Sequence, residues 1–237
     1  MLVSDRGILL HKVKYGDSGL ILKTYTKEHG NVSFLVQGLK GKNKSVPAIM
    51  HPLAELDLEY LDRSKSELKR LKEVQIHVPF HGIRSDLQKS GIAFFLAEVL
   101  LKCLKENEAN PSLYSFVRTS IELLNTTERI GNFHLVFLIR LSKFLGFYPL
   151  GKYTGREFFD LQEGLFTRIR PMHISYAEQI EAKKISEISS TGYDFLDEKL
   201  HRDERNKILE AVIKFYQIHV EGFGSLKTLK VLQELSQ

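Results

Sequence analysis

The hydrophobic pattern changes its period once, near residue 83, and this switch limits the fold more than any other feature of the sequence. Before it, apolar residues come in short runs with a repeat of two, as in half-buried strands. After it they recur every three to four residues, as on one face of a helix. The first part divides into five runs. Residues 7–15 stop at Gly16-Asp17-Ser18-Gly19, residues 20–26 stop before Gly30-Asn31, and residues 32–36 are broken by Gly38. In residues 53–61, Leu56, Leu58 and Tyr60 alternate with Glu55, Asp57 and Glu59; residues 68–78 carry Leu71, Val74, Ile76 and Val78 up to Pro79.

Five short strands in about 80 residues, separated by turn signals, predict a small closed barrel of the OB type. In the second part, Asp86 reads as an N-cap, followed by a stripe through Ile92, Phe95, Leu96, Val99, Leu100 and Cys103. Asn110-Pro111 opens a further helix, and residues 133–145 are apolar enough to form a central, buried one ending at Gly146. Pro149, Gly151, Gly155, Gly164 and Pro171 mark a loop with a β-turn element, and helical patterns return at 174–188, 204–221 and 226–235. The expected architecture is α+β: an OB-fold domain over residues 1–80, then a helical bundle domain over 81–237 with a loop/β insertion at about 148–173.

Charge is distributed unevenly. The net charge is +5, and residues 1–52 hold eight Lys/Arg against three acids, so the whole excess lies in the predicted barrel. Lys12 and Lys14 share a strand face by the two-residue repeat, Lys23 lies on the next strand, and Lys40, Lys42 and Lys44 alternate within five residues. These six lysines are the candidate phosphate contacts, because OB-folds bind nucleic acid with a cationic groove and aromatic platforms. Tyr15, Tyr25 and Phe34 are interleaved with them, though each reads first as barrel core. A merely solvated basic surface stands as the alternative, with the protein then an interaction adaptor that binds no nucleic acid.

Catalytic patterns are missing. There is no G-x-S-x-G, Walker A or H-E-x-x-H sequence. His77 and His81 are separated by Pro79, so no helix presents them as a metal pair. Cys103 is expected to be a buried, inert thiol. No apolar stretch reaches the roughly 18 residues of a membrane span, and the N-terminus has no signal-peptide pattern.

Several segments together carry a resemblance: residues 2–10 with Val13-Lys14-Tyr15-Gly16-Asp17-Ser18, Tyr25-Thr26-Lys27-Glu28-His29-Gly30 running into residues 34–38, and Asn132-Phe133-His134 through Leu145-Gly146-Phe147-Tyr148-Pro149. The ordered set resembles the RecO-type DNA repair and recombination mediators of bacteria. Many members of that family carry a four-cysteine zinc site after the L-G-F-x-P turn. Residues 150–172 contain no cysteine, so the chain resembles a zinc-free variant without cofactor, whose loop must be held by packing through Phe158, Phe159, Leu161 and Phe166. The resemblance implies a non-enzymatic cytoplasmic, nucleoid-associated protein. It implies binding and annealing of single- and double-stranded DNA, and work with RecR to load recombinase onto DNA coated by single-strand-binding protein.

Overall fold

The computed structural model describes residues 1–17, 19–37, 50–62 and 68–235. The chain forms two compact units, Met1–Thr126 and Thr127–Gln237.

The first unit is built on a closed barrel of β1 (Leu2–Tyr15), β2 (Gly19–Thr26), β3 (Gly30–Val36), β4 (Glu55–Leu61) and β5 (Leu68–Val78). Strand order is β1-β2-β3-β5-β4, with β1 closing on β4 and only β3–β5 parallel. This is the OB-fold expected from the alternation. Leu9, Leu22, Phe34, Leu56, Leu58, Tyr60, Leu71 and Val74 fill its interior, each contributing about 1.5–3 kcal/mol by leaving water. The run expected from residue 53 becomes a strand only at Glu55. Leu53 instead takes a left-handed conformation at φ 65° with its side chain fully buried. Its amide donates to Leu9 O at 2.7 Å, and Leu9 N donates to Ala54 O at 2.9 Å, which offsets the steric cost of that backbone.

Three helices belong to the same unit: α1 (His81–Ser85), α2 (Leu87–Cys103) and α3 (Pro111–Thr126). Asp86 caps α2 through the amides of Gln88 and Lys89, and Asn110 Oδ1 accepts Leu113 N at the start of α3. On the outer barrel wall Tyr25 stacks on Tyr114 of α3, ring centroids 6.3 Å apart. The β2–β3 turn meets the α2–α3 connection. Asn31 donates through its backbone to Glu106 O and through its side chain to Leu104 O. Gly30, at φ +65°, permits this approach, since a Cβ there would lie 2.4 Å from Glu108 O. Cys103, the last residue of α2, is half-buried rather than in the core. Burial still pushes its thiol up to about 12, so it is protonated and unreactive at neutral pH.

The second unit is centred on α4 (Phe133–Phe144), buried on nearly every side as its unbroken apolar run requires. Burial pulls the pKa of His134 down to about 3, so this ring is a neutral core residue. A three-stranded sheet of β6 (Phe158–Asp160), β7 (Leu165–Thr167) and β8 (Tyr176–Ala177) forms the insertion. After it come α5 (Gln179–Thr191), a 3-10 turn (Gly192–Asp197), α6 (Arg202–His219) and α7 (Leu229–Leu235). The helical pattern expected from residue 174 starts instead as β8, because Tyr176 and Ala177 pair with Asp160 and Phe159 and the helix begins at Gln179.

The insertion is held by packing, as its missing cysteines demand. Phe159 is buried with Phe166 at 4.9 Å, and Phe158 lies edge-on to Tyr176 at 5.7 Å. Its polar anchor carries no sequence signal. The carboxylate of Glu157, 4% exposed, accepts the amides of Thr154, Gly155 and Arg156, the Thr154 hydroxyl and the Arg168 guanidinium. These donors hold its pKa at about 2.

Candidate nucleic-acid interface

Register determines which candidate residues share a surface, because directly paired residues project from the same side of a ladder. A bulge between Leu9 and His11 resets β1 against β2. Beyond it, Lys12 pairs with Leu22 and Lys14 with Leu20, on the side that faces the barrel interior lower down. Lys23 pairs with His11 and with Ser33, on the outer side. The three described lysines are therefore divided: Lys12 and Lys14 on one face of the β1–β2 ladder, Lys23 on the other. Lys12 also donates to Met50 O at 3.0 Å. Lys40, Lys42 and Lys44 lie outside the described residues.

Lys23 has company that sequence reasoning did not assign. Along the outer face, Val13 pairs with Ile21, Ile21 with Leu35, and Leu35 with Arg70. Tyr15, two residues beyond Val13, projects to the same side. Tyr15 is 47% exposed, whereas Tyr25 and Phe34 are core. Its exposure belongs to a stretch: every β1 residue from His11 to Tyr15 is exposed. His11, Tyr15, Lys23 and Arg70 thus combine donors for phosphate with an aromatic ring and apolar floor for bases, on the β2–β3 side that OB-folds use for oligomers. Arg70 points out because its neighbour Leu71 points in, but the register shift between Glu59 and Tyr60 sets Leu71 out of phase with Val74 and hid this from the sequence.

A different sector of the barrel has opposite charge. A groove of about 540 Å³ between β1, β4 and β5 is lined by Asp5, Glu28, Asp57, Glu59 and Glu73 against only Arg6 and Lys27. Asp57 takes both Arg6 at 3.4 Å and His77 at 2.9 Å. This sector is electrostatically unsuited to a phosphate backbone.

One constellation looks superficially catalytic. His29 Nδ1 lies 2.8 Å from Asp5 Oδ2 and 3.2 Å from the Tyr60 hydroxyl. Asp5 Oδ1 meanwhile accepts the amides of Arg6 and Glu28, and burial pushes Tyr60 up to about 12. An inert phenol and an aspartate saturated with backbone donors make a clasp between β1 and the β2–β3 turn rather than a nucleophile–base pair. Among the described residues no three His, Cys, Asp or Glu are placed to hold a metal ion. The cysteine-free insertion does not fit the zinc of the family's four-cysteine members.

Fold and surface together define an OB-fold protein with a basic, partly aromatic barrel face and a helical second unit. Comparison with known sequences gives the family. The model described as Recombination protein O N terminal matches residues 1–80, and that described as Recombination protein O C terminal matches residues 84–230. The chain belongs to the RecO family. It is 38% identical over 240 residues to the DNA repair protein RecO of Bacteroides fragilis, 37% over 239 to that of Phocaeicola vulgatus, and 34% over 239 to that of Flavobacterium psychrophilum. Each match covers 99% of both chains.

Proposed function

We propose that this protein is a non-enzymatic DNA repair and recombination accessory. In this reading it binds single- and double-stranded DNA on the barrel and anneals complementary strands. With RecR it helps recombinase displace single-strand-binding protein. The observation that carries the reading is the co-facing set of Tyr15, Lys23 and Arg70 on the outer β1–β2–β3 surface, in a chain of the RecO family. The ring stacks on bases, the cations neutralise phosphates, and screening of two backbones by the same cations lowers the barrier to annealing. Lys12 and Lys14, on the other face of the β1–β2 ladder, and Lys40, Lys42 and Lys44, outside the described residues, are further candidate phosphate contacts. Among the described residues no helix is long and apolar enough to cross a membrane, and DNA at the nucleoid is where such a protein would act.

Fluorescence anisotropy with a labelled oligonucleotide tests this. Affinity should fall steeply with salt, and Lys23→Ala/Arg70→Ala should flatten the log–log slope by up to about 0.7 for each phosphate of a single strand that is no longer neutralised. Tyr15→Ala should weaken single-strand binding with little change in slope. Absence of binding at low salt would leave the adaptor reading in its place. Annealing of complementary labelled strands, and recombinase loading with RecR present, test the later steps.

A further inference from the structure

The insertion of the second unit carries a feature that its packing does not explain. In the β7–β8 connection Ile169 is 81% exposed, Met172 105% and Ile174 87%. Three large apolar side chains in six residues, held out in water, form a presented surface rather than chance exposures.

The connection that carries them is anchored at each end. Arg170 donates to the Tyr176 hydroxyl and to Glu178, both at 2.6 Å, with its guanidinium over the Tyr176 ring. His173 bonds Asp160 at 3.1 Å, and the Ile174 carbonyl accepts from Lys214. The connection that presents the apolar tips is thus fixed by polar contacts near both of its ends.

The charge around them narrows the partner. Of the acids in residues 150–178, Glu157 and Asp160 turn inward onto amides and His173, while Glu163 and Glu178 are exposed and Glu178 is paired with Arg170. Lys152, Arg156, Arg168 and Arg170 are all exposed. The outer surface is cationic around an apolar tip, which fits a phosphate-lined groove whose floor is stacked bases. Isoleucine, methionine and proline are side chains that enter such steps from the minor groove and part them.

We infer that the β7–β8 connection is a second DNA contact, a wedge that inserts Ile169, Met172 and Ile174 between base steps of duplex or junction DNA while exposed basic side chains of the insertion, Lys152 and Arg156 among them, meet phosphate. It lies outside the barrel and does not depend on the barrel face being a DNA site.

A duplex carrying a fluorescent adenine analogue, whose emission rises on unstacking, reads this directly. The full chain at saturation should raise the emission. Ile169→Ser/Met172→Ser/Ile174→Ser should abolish the rise, and the matching triple change to leucine should keep it. Thermal melts of both variants should match the parent, since the altered side chains are exposed. No rise with the parent chain, or an unchanged rise with the serine variant, overturns the wedge. A serine variant that also turns a dimer into a monomer by light scattering assigns the tips to a second copy and overturns it too. Tyr15→Ala/Lys23→Ala/Arg70→Ala separates the two readings. It should weaken binding yet keep the rise at saturation; unaltered affinity would remove the barrel site and leave the wedge standing.

Discussion

Two carboxylates, one in each unit, are buried in opposite ways. Glu55, at the start of β4, is 1% exposed and is satisfied by side chains some 60 residues away: the Tyr114 hydroxyl at 3.1 Å and the Arg118 guanidinium at 3.1 and 3.2 Å. Glu157 is satisfied mostly by the backbone of the three residues before it. The first arrangement exists only once α3 has docked on the barrel, so it reports tertiary structure. The second is a local nest that organises its own loop, the role a metal would otherwise serve. A long-range carboxylate couples elements, whereas a local one makes an insertion self-sufficient.

The largest effect should come from Arg118→Met. It strands Glu55 with a single hydroxyl donor, and removal of one partner from a buried pair costs about 3 kcal/mol. Denaturant titration should show this as a fall in global stability, partly restored in Glu55→Gln/Arg118→Met. Tyr114→Phe should cost less, about 1.5 kcal/mol, for one hydrogen bond to a charged acceptor. Its pH dependence sharpens the contrast. Burial and Glu55 raise the Tyr114 pKa above its ordinary 10, so its contribution is complete below pH 10 and declines as pH climbs further.

Glu157 titrates at the other extreme. Its folded pKa of about 2 is below the ordinary 4.5, so its contribution is present above pH 4.5 and is lost as pH falls toward 2. Glu157→Gln and the parent should converge in that acid window. The smallest global change is expected here. Hydrogen exchange should show faster opening at residues 154–157 while barrel amides keep their protection. Equal loss of protection in the barrel would erase the distinction between coupling and local carboxylates.

The same distinction explains what could be read from the sequence. Barrel and helices were legible because periodicity is a local signal: Leu56, Leu58 and Tyr60 face inward as their alternation requires. Asp86 and Asn110 cap helices as their positions suggest. The candidate surface was legible in residue type but not in arrangement, since the bulge after Leu9 inverts the phase of β1 and leaves Lys12 and Lys14 opposite Lys23. Tyr15 and Tyr25 are alike as letters. Tertiary packing separates them: Tyr114 of α3 stacks on the buried Tyr25, whereas Tyr15 is 47% exposed. Glu157 left no trace because its donors are main-chain amides, which every residue but proline carries.

The pairing of β3 with the α2–α3 connection limits how this chain can be divided. A fragment ending near residue 80 would deprive Asn31 of both carbonyl partners and Glu55 of its guanidinium, and it would uncover the Tyr25 ring. The boundary between the family's N- and C-terminal regions is thus no place to cut. Chimeras exchanged between relatives should carry the first three helices with the strands and join after Thr126. A barrel borrowed alone would arrive with an orphaned buried carboxylate and an open flank, and weak binding in an oligonucleotide titration would then report the damaged fold rather than the surface.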